Sequence, residues 1–193
     1  KTTFTSDLRS PGTDAAQWTA NIRAKGLSET ATLSWTQVQP VTGNEVIRII
    51  DRQTRSVVDP QAVSNLSLGR INERFPRVLD LVAGDPAQVE DLVKEILASL
   101  PEEFSLKQNY PNPFNPVTTI QFGLPQPANV RLTIVNILGQ EVATLINDWR
   151  DMGYHQVRWA GVNDQGLPVS TGVYFSILTA GQQVQIRKML LVK

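Results

Sequence analysis

The sequence predicts an all-β protein of two small antiparallel β-sandwiches joined by one amphipathic helix. Three observations predict it. Apolar and polar residues alternate with period two through most of the chain. Turn-forming residues break that alternation every few positions. One stretch, residues 85–100, switches to the spacing of a helix. Period-two segments rich in β-branched residues and bounded by turns form sandwiches; an i, i+3, i+4, i+7 stripe forms a helix with one buried face.

Composition bounds the rest. The chain has 193 residues, of which 41% are apolar and 19% charged, which supports a folded core and argues against disorder. Eighteen basic residues balance eighteen acidic ones. A neutral chain has no long-range field to hold a nucleic acid, and it is less protected against self-association. Cysteine is absent, which excludes disulfides, thiolate metal sites and cysteine nucleophiles. The apolar runs, such as "EVIRII" and "MLLV", are too short to span a membrane. The opening "KTTFTSDLRSPG" lacks the apolar core of a signal peptide, so the chain is expected to be a mature product or a piece of something longer.

Residues 1–84 carry the first set of strands. In "QWTANIRAK", Trp18, Ala20, Ile22 and Ala24 share a face; in "ATLSWTQV", Leu33 and Trp35 do. "EVIRIID" places Val46, Ile47, Ile49 and Ile50 so densely that both faces of that strand must be covered. "SVVD", "NLSLG" and "RFPRVLDLVAG" complete the set. Over residues 85–101, Asp85 caps a helix and Pro86 suits its first turn. Val89, Leu92, Val93, Ile96, Leu97 and Leu100 form its stripe, and Pro101 stops it. That stripe is buried either under the first sandwich or at the joint between the two.

Residues 102–193 begin with "NYPNPFNP", three prolines and three asparagines in eight residues. Such a stretch is an ordered turn and not a central strand. "VTTIQFGL", "NVRLTIVNIL", "QEVATLI", "YHQVRWAG", "GVYFSILTAG" and "QVQIRKMLLVK" follow as strands, with Gly139 and Gly181 at tight hairpins.

No constellation for catalysis emerges, and a non-enzymatic chain is expected. His155, the one histidine, alternates with Val157 and Trp159 along a strand and reads as a satisfied side chain. No nucleophile elbow, phosphate loop, zincin motif or EF-hand spacing is present. Asp148, Asp151 and Asp164 read as turn residues, and neither metal nor cofactor is expected. Trp18, Trp35 and Trp159 read as core, whereas Trp149 in "NDWRDMG" reads as an exposed turn residue able to stack on a sugar.

The motifs of residues 104–193, in order "NYPNPFNP", "ILGQEVATL", "MGYHQVRW", "DQGLPVSTGVYF" and a closing "RKMLLVK", closely resemble the C-terminal sorting domain (type A) of type IX secretion cargo. The same strand pattern is similar to the immunoglobulin-like domain of flagellar hook-capping proteins, ranked second because that relative does not normally end on such a basic strand. Residues 1–84 are similar to the immunoglobulin-like module that often precedes such a tail. The resemblance implies two immunoglobulin-like sandwiches in a secreted or surface-bound protein whose active module lies upstream. It implies recognition by an outer-membrane translocon and removal by a sortase-like surface protease. By position, Gly172, Tyr174, Arg187, Lys188 and Lys193 would be recognition residues, and Asn112, Pro113, Phe114, Asn115 and Pro116 a structural loop. Ala160 stands where the family often has Asp.

A folded signal must be read from its surface. In "QVQIRKMLLVK", Val184, Ile186, Lys188, Leu190 and Val192 alternate with Gln185, Arg187, Met189, Leu191 and Lys193. The second set, mixing apolar and basic groups, is expected to stay partly uncovered, with strand addition to a partner at the free edge. Deleting the last five residues is expected to block export while leaving the fold largely intact. Two other readings compete. One is a filament or surface-layer subunit assembling through edge strands, with "KTTFTSDL" as a donated strand. The other is a carbohydrate-binding accessory module of a secreted hydrolase, which two or three exposed aromatics on one sheet face would support.

Overall fold

The computed structural model describes residues 15–22, 30–35, 44–71 and 77–192. The "KTTFTSDL" segment and Lys193 lie outside the described residues. The chain divides into two compact units, Lys1–Ser99 and Leu100–Lys193.

The first unit contains β1 (Ala16–Ile22), β2 (Thr30–Ser34), β3 (Val46–Asp51), β4 (Ser56–Val58), β5 (Asn65–Arg70), β6 (Arg77–Gly84) and α1 (Pro86–Ala98). One antiparallel sheet runs β1-β6-β3-β4 and a second pairs β2 with β5. The interior strand β3 is apolar on both sides because both are covered. Ile50 joins Val82 and the helix residues Val89, Val93 and Ile96 in one cluster. Its neighbour Ile49 joins Leu68, Ile71 and Leu79 in another, which Leu33 and Trp35 flank. The helix is therefore a layer of the first unit, and its stripe is buried on that unit's own sheet. Asp85 caps it by accepting from Ala87 N at 3.0 Å. Two buried carboxylates are held in the same sheet. Asp51 accepts from Arg77 at 2.6 and 2.9 Å. Asp80 accepts from Arg52 at 2.6 and 2.9 Å, from Thr19 at 2.5 Å and from Gln17 at 3.2 Å.

The second unit contains β7 (Ser105–Leu106), β8 (Thr118–Leu124), β9 (Ala128–Asn136), β10 (Glu141–Arg150), β11 (Gly153–Trp159), β12 (Gly172–Ala180) and β13 (Gln183–Leu191). They form two sheets, β10-β9-β12-β13 and β11-β8-β7. Alternate residues of every strand meet in one core that includes Ile120, Phe122, Leu132, Ile134, Trp159, Leu178, Met189 and Leu191. This is an all-β immunoglobulin-like sandwich. Tyr174 is buried there, with its hydroxyl donating to Ser170 O at 2.7 Å and its ring edge-on to Trp159 at 5.4 Å. The Gly181 of "AGQQ" has φ +59 at the first central position of the two-residue β12–β13 turn, a conformation glycine adopts without a Cβ penalty.

Trp149 corrects the sequence reading. It lies in β10 opposite Asn129 and is half-buried, because the β9–β10 ladder continues through Arg150. His155 stacks on Phe122 at 5.1 Å, and its Nε2 lies 2.8 Å from Asp151 O.

Candidate functional site

β13 lies at the edge of its sheet, and its register settles which side chains face solvent. The turn closes with Ala180 opposite Gln183, so Met189 meets Tyr174 and Leu191 meets Gly172. Met189 and Leu191 are both 0% exposed. The expected set is therefore uncovered only at Arg187 and in part at Gln185, and the face exposed along its whole described length is the other one. Val184 and Ile186 are 55% and 51% exposed, and Lys188, Leu190 and Val192 are also exposed. A one-residue change of parity exchanges the faces of a strand completely. On β12, Val173, Phe175 and Ile177 stand directly across from Leu190, Lys188 and Ile186. All three are only half-buried. They extend the apolar surface inward from the edge.

The recognition residues implied by resemblance separate on this geometry. Lys188 belongs to the outward face, opposite Phe175. Arg187 has the inward parity but stays exposed, with Nη1 donating to Ile186 O at 3.1 Å. Tyr174 is buried and offers a partner no surface; it holds the β12 end of the core and positions what others present. Gly172 opens β12 opposite Leu191.

The "NYPNPFNP" loop is the clamp on this strand. The Tyr110–Pro111 and Asn112–Pro113 bonds are cis. Two anchors seat the loop. Asn109 is buried and its Nδ2 donates to Pro111 O at 3.0 Å and Thr118 Oγ1 at 2.9 Å. Phe114 is 1% exposed, packed 5.5 Å from Trp159. Between these anchors the loop covers the outer edge of β13. Leu190 N donates to Asn112 Oδ1 at 2.9 Å. Phe114 N donates to Leu190 O at 3.0 Å and Val192 N to Phe114 O at 2.9 Å. Gln108 Nε2 donates to Lys188 O at 2.8 Å. Strand addition along Lys188–Val192 is thus blocked by the protein's own loop. The expectation of a free edge holds only for the Val184–Ile186 portion, which the "NYPNPFNP" loop does not bond and where Gln185 Nε2 donates to Phe104 O at 3.4 Å.

Nothing in the described residues gathers ionisable groups around a deep cleft. A hollow of about 340 Å³ in the second unit, lined by Phe104, Leu124, Pro127 and Gln183 among others, carries no ionisable side chain. A hollow of about 230 Å³ in the first unit is apolar apart from Asp80. Burial pushes that carboxyl up, but Arg52, Thr19 and Gln17 together hold it below the usual carboxylate range. A carboxylate so held is a poor proton donor near neutrality. Asp148, Asp151 and Asp164 have separate engagements. Asp148 pairs with Arg150 at 2.8 Å, Asp164 accepts from Thr144 N at 2.9 Å, and the Asp151 carbonyl faces His155.

Sequence reasoning overlooked one surface. Tyr110 and Tyr154 are 81% and 58% exposed on the outward side of the β11-β8-β7 sheet. The signal was available: in "YHQVRW", assigning His155, Val157 and Trp159 inward sends Tyr154 outward with Gln156 and Arg158.

Comparison with known proteins follows the second unit. Residues 112–183 match the family model of the FlgD Ig-like domain. The match ends where β13 begins, so the exposed strand lies beyond it. No curated protein matches the chain. Among solved structures, PorZ of Porphyromonas gingivalis, described as an essential bacterial surface component of the type IX secretion system, aligns at 17% identity and TM-score 0.34, over 58% of this chain and 14% of its own. Dimeric latent PorU of the same organism aligns at 11% identity and TM-score 0.38, over 94% of this chain and 20% of its own. A β-glucuronidase of Faecalibacterium prausnitzii aligns at 10% identity and TM-score 0.30, over 92% of this chain and 36% of its own. The chain spans only a small part of each of these proteins, and superpositions this loose carry no function with them. What stands is the fold: residues 112–183 are similar to the FlgD Ig-like domain, and they fold as an immunoglobulin-like sandwich.

Proposed function

We propose that this chain is the C-terminal sorting and surface-anchoring region of a larger exported bacterial protein, without catalytic activity of its own, and that the type IX outer-membrane translocon reads it through β13. The observation that carries the reading is the outward face of that strand. Val184, Ile186, Lys188, Leu190 and Val192 are exposed together on a strand whose other face sets Met189 and Leu191 into the core. An exposed apolar row with a basic residue at its centre is costly in solution and is the kind of surface that marks an interaction site. The order of motifs from "NYPNPFNP" to "RKMLLVK" supports the same reading, since it resembles type IX sorting domains throughout the second unit. A sortase-like surface protease would then act on the exported product.

The test is a reporter carrying residues 100–193, expressed in a host with this secretion system. Export to the surface is expected. The double substitution Ile186→Asp, Lys188→Glu should strand the reporter in the periplasm with its melting temperature unchanged. Periplasmic retention of the unaltered fusion, beside an exported known tail, rejects the proposal. Deletion of the last five residues is not a clean test, because it removes Met189 and Leu191 from the core and breaks the clamp bonds of Leu190 and Val192.

A further inference from the structure

We infer that the outward face of the β11-β8-β7 sheet binds an acidic glycan, a saccharide chain bearing carboxylate, sulfate or phosphate groups. The ladder lays out that face as three rows. Tyr154 stands opposite Gly123, which stands opposite Ser105. Gln156 stands opposite Gln121, whose carbonyl accepts from Lys107 N at 2.8 Å. Arg158 stands opposite Thr119, which bridges to Tyr110 through two bonds of 2.9 Å. The two exposed tyrosines therefore occupy opposite corners, and Gln121 occupies the centre. At 3.3 Å per residue and 4.8 Å per strand the corners are roughly 16 Å apart, the reach of a short oligosaccharide.

Gly123 makes the platform flat. A Cβ there would lie 2.9 Å from Ser105 Oγ, 3.1 Å from Pro101 Cβ and 3.2 Å from Tyr154 Cε1, so glycine lets the tyrosine ring and Pro101 close over the strand. An exposed ring held against backbone is a surface on which the apolar face of a sugar stacks, and the glutamines between the rings supply amide donors and acceptors for hydroxyls. The charge selects the class. The strands β7, β8 and β11 contain no Asp or Glu. Lys107 and Arg158 are exposed, and neither has a carboxylate partner among the described residues. The Lys107 ammonium lies over the Tyr154 ring, 5.4 Å from its centroid, and a sugar stacking on that face displaces it sideways onto its anionic substituent. This surface is on a different sheet from β13, so its success or failure is independent of the sorting proposal.

The experiment titrates the full chain by calorimetry with three hexasaccharides: galacturonic acid oligomer, heparin-derived and neutral cellohexaose. An oligothymidylate and an oligoglutamate serve as polyanion controls. Binding of at least one acidic saccharide is expected, tenfold or more above cellohexaose, and which one binds identifies the anion. Tyr154→Ala and Tyr110→Ala should each weaken it about tenfold, with melting temperatures retained. Lys107→Gln with Arg158→Gln should abolish the preference for acid over neutral sugar and flatten the salt dependence. The inference is overturned if no acidic saccharide binds, if cellohexaose or either polyanion binds as tightly, or if both tyrosine variants bind like the parent chain.

Discussion

Phe114→Ala is the perturbation on which the architecture of β13 most depends. The side chain is 1% exposed, sits in the main core of the second unit and tilts against Trp159 at 5.5 Å. A buried phenylalanine removes on the order of 150–200 Å² from water, worth about 4 kcal/mol at 25 cal/mol/Å². Measured Phe→Ala losses of about 3–5 kcal/mol, which include the cavity left behind, agree with that figure. For a unit of this size the melting transition should fall by roughly 15 °C or more in calorimetry. The loss should also be unevenly distributed. The Leu190 and Val192 amides are held by Asn112 Oδ1 and Phe114 O, both on a loop that the Phe114 ring anchors. Their hydrogen exchange should accelerate more than that of Leu178, whose side chain is fully buried in the adjacent strand. Asn112→Ala leaves the ring in place and removes only the side-chain acceptor. It should cost about 1 kcal/mol and speed exchange at Leu190 without a comparable change at Val192. A drop of under 1 kcal/mol in Phe114→Ala, or uniform acceleration across β12 and β13, would refute the reasoning that the loop is an anchored clamp.

Four further outcomes rest on buried polar side chains. Arg52→Ala leaves the Asp80 carboxylate buried without its main partner and should destabilise the first unit by about 3–5 kcal/mol in denaturant unfolding. Asp80 is held below the ordinary carboxylate range, so its contribution is complete above the unfolded carboxylate pKa near 4 and disappears as pH falls through the lower folded value; acid titration followed by circular dichroism should show Arg52→Ala unfolding at higher pH than the parent. Burial raises the Tyr174 hydroxyl above its ordinary value, so in a Tyr110→Phe, Tyr154→Phe chain the remaining phenol should ionise above pH 10 by ultraviolet titration, and the stability it lends should be intact below that pH and lost above it. Tyr174→Phe should cost about 1 kcal/mol, the net worth of the bond to Ser170 O, and leave the β13 surface unaltered.

The elements were legible because their signals are local. The stripe from Val89 to Leu97 needs only one turn of neighbours to be read, and the density of "EVIRIID" announces two covered faces without naming what covers them. Parity was not local. Each face of "QVQIRKMLLVK" carries apolar and basic residues, so hydrophobicity along the strand does not choose between them. The choice is made by the two-residue turn at Gly181, which sets Met189 against Tyr174, and by the loop 78 residues upstream that bonds Leu190. "NYPNPFNP" was legible as a rigid turn, but its partner was not. Proline and asparagine describe the loop's own backbone, whereas the clamp consists of hydrogen bonds to a strand far along the chain. Residues singled out by resemblance then fall into two physical kinds. Tyr174, with its hydroxyl bonded and its ring in the core, acts on the surface only by holding it in place, while Lys188 is part of that surface. On the proposed reading a substitution at the first kind should change recognition only as far as it changes stability. On the same reading a substitution at the second should change recognition at constant stability, and that difference is what separates a displayed signal from an ordinary closing strand.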